Sequence, residues 1–257
     1  MNIIVLVKQV FDTETKIVLG SDGKIDDSNV TLIMNPYDEN AVEEGLLLKE
    51  KFGGEVIAVG VGTDKSQDTL RNALAMGVDR AILVNDPAIQ ATSDDYATAQ
   101  AVAKVVGDLN PDIVITGRVA IDFGSKIAGR VAELLGIPHV NTVTKLEVDG
   151  GKAVATREVD GGTEIIEVPL PAVISAQRSI NTPRYPSLAG IMKAKKKEFK
   201  TVNLADIGLD AANVVGKMQI LNYSLPAARN SGRIIEGEPA QVAAELAGLL
   251  RSEAKVI

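Results

Sequence analysis

Short β-branched apolar runs alternate along this chain with segments whose apolar residues recur at helical spacing. Asn2 to Val7, Glu55 to Val61, Arg80 to Val84 and Asp112 to Thr116 have the length and composition of buried strands. Between them Val42, Leu46 and Leu47, then Leu70, Ala73, Leu74 and Met76, then Ala101, Val102, Val105 and Val106, each fall on one helical face. The punctuation agrees. Asn35 suits an N-cap and Pro36 the first helical position, Gly53 and Gly54 end that helix, and Gly77 ends the next. Thr92 or Ser93, followed by Asp94 and Asp95, starts the third. From Ser125, as N-cap, a further helix carries Ile127, Val131, Leu134 and Leu135 on one face until Gly136 and Pro138 stop it. Ile17 to Ile25 reads as a small hairpin around Asp22-Gly23. Strict alternation from residue 2 to about 136 predicts an α/β fold with a doubly wound, mostly parallel sheet.

The period changes after Pro138. The stretch VTKLEVDGGKAVATREVDGGTEIIEV alternates apolar and polar residues around Asp149-Gly150 and Asp160-Gly161, which predicts an added antiparallel β meander. Pro171 to Ala176 is one more apolar strand. In Arg178 to Lys197, two prolines, Pro183 and Pro186, bracket Arg184-Tyr185. Leu188, Ile191 and Met192 then lead into a basic run, Lys193 and Lys195 to Lys197. We expect a domain over residues 1–199 and a C-terminal extension over 200–257. The extension carries an amphipathic helix of about Glu238 to Glu253 that packs on this domain or on a partner.

Composition narrows the chemistry. With 46% hydrophobic and 24% charged residues in 257, the chain reads as an ordinary globular protein, and no apolar run reaches the ~18 residues of a membrane span. The start, MNIIVLVKQV, lacks a basic n-region and reads as a core strand, not a signal peptide. There is no cysteine, which excludes disulfides, thiolate metal sites and cysteine nucleophiles. A single histidine, His139, cannot form a metal cluster, and no catalytic or metal-binding residue is expected. The net charge of −7 and the lack of Trp argue against a nucleic-acid partner.

Candidate chemistry centres on the loop after the fourth parallel strand. Gly117, Gly124 and Ser125 bring backbone N–H groups and a helix N-terminus together, with Arg118 and Lys126 adding positive charge. Two readings stay open: a nucleotide-phosphate cradle, or an ordinary turn between strand and helix. Lys8 and Gln9 follow the first strand, at the end where α/β sheets place ligand contacts. Gly60-Val61-Gly62 lacks the third glycine of a dinucleotide fingerprint. A crevice should lie where the loops after Val7, Val61 and Thr116 converge.

Several stretches together resemble one family. VKQV at the start, MNPYDENAVEE, ALAMGVDRAILV, GRVAID, TREVDGGTEIIEVPLPAVISA and NTPRYPSLAGIMKAKKK stand in the order found in β subunits of electron transfer flavoproteins. The resemblance implies a Rossmann-like, adenine-nucleotide-binding fold and an electron-carrier subunit, not an enzyme in its own right. It implies a heterodimer with an α subunit that holds most of a redox-active FAD. It also implies a nucleotide in the β chain itself, AMP or, in electron-bifurcating members, a second FAD. Its expected contacts are Leu6, Asn35, Pro36, Tyr37, Asp38, Val61, Gly117, Arg118, Val119, Ala120, Ile121, Asp122, Phe123, Gly124, Ser125, Lys126, Ile127 and Ala128. Val119 stands where the family carries Gln, and Phe123 where it carries an acidic residue or Gly. Arg184, Tyr185, Leu188, Ile191 and Met192 match a loop that docks flavin-dependent dehydrogenases such as acyl-CoA dehydrogenases, and Glu158 matches an acidic residue linked to flavin-domain orientation. An acceptor oxidoreductase, a cytoplasmic location and docking of residues 200–257 on the α subunit complete the expectation. The rival is a stand-alone adenine-nucleotide-binding signalling protein, which needs neither the TREVDGG meander nor the PRY segment. An ATP-pyrophosphatase would need an SGGxDS-like loop where Lys8-Gln9-Val10-Phe11 stands.

Overall fold

In the computed structural model, which describes every residue except Ser93, Phe123, Val215 and Asn230 and the side chain of Thr92, the apolar runs become strands of one sheet. In chain order the elements are β1 (Asn2–Leu6), β2 (Gln9–Phe11), β3 (Leu32–Met34), α1 (Pro36–Phe52), β4 (Glu55–Val61), α2 (Gln67–Met76), β5 (Arg80–Val84), α3 (Pro87–Thr92), α4 (Asp95–Asp108) and β6 (Ile113–Gly117). There follow α5 (Ile127–Leu135), β7 (His139–Asp149), β8 (Lys152–Val159), β9 (Gly162–Pro169), β10 (Val173–Ala176), α6 (Leu188–Ala194), β11 (Phe199–Val202) and α7 (Pro239–Ser252).

The main sheet has the order β11-β5-β4-β1-β6-β10-β7-β8-β9. It is parallel from β11 to β7 and antiparallel through β7, β8 and β9. The doubly wound sheet with an added meander is therefore borne out. Successive residues of β1 bury on opposite faces. Ile3 and Val5 pack with the layer containing α1 and α2, whereas Ile4 and Leu6 pack with the layer containing α4 and α5. From β1 the chain winds out through β4 and β5, then returns to β6 on the other side of β1. That reversal makes a topological switch point at the C-terminal ends of β1, β4 and β6.

Several local expectations change. The segment 17–25 forms a single bridge, Leu19 to Ile25, while β2 pairs with β3 in a separate two-stranded sheet. A short helix, α3, precedes α4, whose N-cap is Asp94; the expected start at Ser93 lies outside the described residues. β10 inserts between β6 and β7, so the strand that ends the meander returns to the centre of the sheet. β11, which spans the expected boundary at 199/200, joins the main sheet beside β5. Met1–Tyr223 forms one compact unit and Ser224–Ile257 another. Within the second, Arg233, ahead of α7, pairs with Glu245 of that helix at 3.1 Å. No helix among the described residues is long and apolar enough to cross a membrane.

Candidate functional site

A crevice of about 160 Å³ opens at the switch point. Leu6, Val59, Val61 and Val102 give it apolar walls, and Lys8, Asn35, Asp38, Arg118 and Ser125 give it polar ones. The neighbouring ends of β1 and β6 are tied together by one carboxylate. Asp38, in the first turn of α1, accepts the Lys8 N–H through Oδ2 at 2.8 Å and the Gly117 N–H through Oδ1 at 3.0 Å. Burial pushes the Asp38 carboxyl up to about 7, against the lowering effect of these hydrogen bonds. The approach is close enough to require glycine: a Cβ on Gly117 would lie 2.3 Å from Asp38 Oδ1 and 2.8 Å from the Tyr37 carbonyl carbon.

Asn35 stands at the N-cap of α1, yet its side chain makes no capping bond. Its Nδ2 instead reaches across the crevice and donates to the Val119 carbonyl at 3.1 Å. Its Oδ1 is buried without a hydrogen-bond partner. A buried acceptor left unpaired costs roughly 1–3 kcal/mol. Across the mouth, Lys8 Nζ pairs with Asp122.

The loop itself is more self-satisfied than its glycines suggest. The N–H of Arg118 donates to Ala176, that of Ala120 to the Gly124 carbonyl, and that of Gly124 to Asp122 Oδ1. The following helix also starts later than expected. Lys126, not Ser125, is its N-cap, with no side-chain cap, so the orphan N–H groups of its first turn belong to Ile127 and its successors.

Of the expected contact residues, Leu6, Asn35, Asp38, Val61, Gly117, Arg118, Val119, Ala120, Gly124, Ser125, Ile127 and Ala128 line the crevice. Pro36, Tyr37, Ile121, Asp122 and Lys126 flank it without lining it, and Phe123 lies outside the described residues. Asp95, Thr98 and Val102 of α4 form a wall that the sequence reading missed. The available signal was the Asp94-Asp95 helix start following the second strand outward from β1. His139 lies apart, its Nε2 2.8 Å from Ser175 Oγ, with burial lowering its pKa.

The profile of the family described as "Electron transfer flavoprotein domain" matches residues 22–207. The chain is 47% identical over its full length to the "Electron transfer flavoprotein subunit beta" of Bacillus subtilis, covering all of that protein. It is 49% identical to the protein of the same name from Syntrophomonas wolfei, covering 100% of this chain and 98% of that one. The mitochondrial subunit beta of Arabidopsis thaliana is 40% identical, with both chains fully covered. The chain belongs to the electron transfer flavoprotein β-subunit family.

In this electron transfer flavoprotein chain a second surface stands out. Tyr185, Leu188 and Met192 are 96%, 84% and 64% exposed, with Ile191 beside them. Leu188 is the first residue of α6 rather than part of an irregular loop, and Ser187 caps that helix through the Gly190 N–H at 3.0 Å. Gly190 seats α6 on α2, since a Cβ there would lie 2.4 Å from the Ala75 carbonyl oxygen. Polar residues of α1 hold the chain leading to it. Asn40 donates to Arg178 and Asn181, and Asn181 donates to Glu44 at 2.9 Å. The Arg184 guanidinium pairs with Glu43 at 2.8 Å and Glu50 at 2.6 Å. These carboxylates, Glu43 first, raise its pKa, and they turn this side chain inward as the tether of the segment. Lys197 is likewise engaged, donating to the Leu74 and Val78 carbonyls at the end of α2; Lys193, Lys195 and Lys196 remain exposed.

Proposed function

We propose that this chain pairs with an α subunit to form an electron transfer flavoprotein. The pair passes electrons from dehydrogenases through a shared FAD, and the crevice of this chain holds AMP. The observation that carries the nucleotide reading is the crevice at the switch point, where Asn35 and Asp38 meet the end of β1 and the glycine-bearing loop after β6. Leu6, Val59, Val61 and Val102 would cover the apolar faces of the base. The phosphate would take the unpaired N–H groups at the start of α5, where Ile127 and Ala128 reach the crevice. Lys8 and Arg118, which both line the crevice, would supply positive charge.

The flavin, when bound, supplies the one- and two-electron chemistry, and the chain, which has no cysteine, contributes position and shielding. The exposed apolar set on α6 is the dehydrogenase-docking surface in this reading, with Leu188 as its anchor. The test is to coexpress the chain with its α subunit, purify the complex and follow its flavin absorbance as a flavin-dependent dehydrogenase turns over. A yellow αβ complex that accepts electrons supports the reading. A colourless homodimer that binds ATP would refute it in favour of a signalling protein.

A further inference from the structure

Asp94 immediately precedes α4, and its side chain is completely buried. Its two oxygens serve different parts of the chain. Oδ1 accepts the Tyr96 N–H at 2.8 Å, capping α4, and lies 3.7 Å from Arg130 Nη1 on α5. Oδ2 accepts the Met218 N–H at 2.9 Å and also the Lys217 N–H. The Lys217 ammonium then lies 5.5 Å from the centre of the Tyr96 ring. Burial pushes this carboxyl up, but the N–H groups of Tyr96, Lys217 and Met218, with Arg130, hold it below its ordinary value.

An N-cap needs one acceptor oxygen. Here the second is taken by chain more than a hundred residues away, three residues beyond Val214, which is buried against the same layer as α4 and α5. Past this point Met218, Ile220 and Leu221 are 54%, 48% and 84% exposed. On the inner side, both helices that meet at Asp94 wall the crevice, α4 through Asp95, Thr98 and Val102 and α5 through Ile127 and Ala128.

We infer that Asp94 is a positioning residue that pins the root of the C-terminal arm to the crevice wall, so that a nucleotide filling the crevice also orders the arm. The inference rests on the nucleotide reading for its second half only. A ligand that contacts the first turns of α4 and α5 restricts the motion of Asp94, and the Lys217 and Met218 amides then open less often. The arm's exposed apolar residues are thereby presented to the α subunit in one geometry.

Asp94→Ser separates the two oxygens, because serine still caps α4 but its single hydroxyl cannot also hold the arm. The experiment is amide hydrogen exchange on the full chain, with and without AMP, with AMP binding measured calorimetrically on the same samples. In the natural chain the Met218 amide should be protected and AMP should slow it about threefold or more. In Asp94→Ser it should exchange about tenfold faster and ignore AMP, with protection inside α4 and the sheet unchanged. Asp94→Asn keeps one acceptor oxygen for the α4 cap but turns N–H toward the Lys217 and Met218 amides, so it should also free the Met218 amide if Asp94→Ser folds poorly. Unchanged Met218 exchange in these variants, or acceleration spread evenly over α4 and the sheet, would overturn the anchor. AMP that binds without slowing Met218 in the natural chain would overturn the transmission. A natural chain that binds no AMP would refute the nucleotide reading and the transmission with it, while the variants still decide the anchor.

Discussion

Replacing Gly117 by Ala tests whether the crevice is built on close backbone contact. The added methyl would meet Asp38 Oδ1 at 2.3 Å, Tyr37 Cβ at 2.7 Å and the Tyr37 carbonyl carbon at 2.8 Å. Two of these are backbone or backbone-proximal atoms at the start of α1, so no side-chain rotation relieves them. Overpacking of this kind costs about 1–3 kcal/mol. Moving β6 away from α1 would also break the Gly117 N–H bond to the buried Asp38 carboxylate, a charged-group hydrogen bond worth roughly 1.5–3 kcal/mol. Together these imply a loss of roughly 3–5 kcal/mol, or about 10 °C in Tm for a unit of this size. Gly124→Ala is the control. Its Cβ would meet Asp122 Oδ1 at 3.2 Å and Lys8 Nζ at 3.3 Å, the far ends of side chains that can move, and Ala120 Cβ at an ordinary 3.9 Å. Its cost should stay within about 0.5 kcal/mol. Thermal unfolding of both purified variants, with nucleotide content measured on the same samples, reads the difference. Equal Tm values for the two variants would show that the β6–α1 approach is not what shapes the crevice.

Asp38 should make stability pH-dependent. Its folded-state pKa is raised from 3.8 to about 7, so the folded chain holds the proton more tightly and loses stability as pH rises from about 4 through 7. Asp38→Asn should remove that slope while lowering stability overall, because its amide presents N–H to an N–H donor; Tm curves that stay parallel across this range would contradict the assignment. Leu188→Ala should leave Tm nearly unchanged, the side chain being 84% exposed. It should weaken dehydrogenase binding about tenfold, since burying a leucine contributes roughly 1.5–3 kcal/mol. Unaltered dehydrogenase affinity in a titration would remove Leu188 as the anchor.

The parallel core was legible because both faces of its strands are buried. β4 and β5 read as unbroken apolar runs and have the bounds their composition predicts. What the pattern could not carry was long-range placement. Nothing in Pro171 to Ala176 says that the strand slots between β6 and β7, because strand order is set by the packing of whole layers. The burial of polar residues on α1 was hidden for a related reason. Asn40, Glu43 and Glu44 look like a solvated face but are buried under the 178–184 segment, which brings them amide and guanidinium partners. The crevice was legible in outline, since strand ends at a switch point predict where ligands bind. Its α4 wall was not, because Asp95 and Thr98 carry no motif. Ser125 failed as a cap because residues 124–126 lie outside the helix and its first turn begins at Ile127.

The most direct test of the account is a count of nucleotides. The αβ complex is purified, denatured, and its released cofactors separated and quantified against protein. One FAD and one AMP per heterodimer is the predicted result, with AMP lost in Gly117→Ala and retained in Gly124→Ala. Two FAD and no AMP would contradict the mononucleotide assignment of the crevice, and a complex that releases no adenine nucleotide beyond a single FAD would contradict the crevice as a nucleotide site altogether.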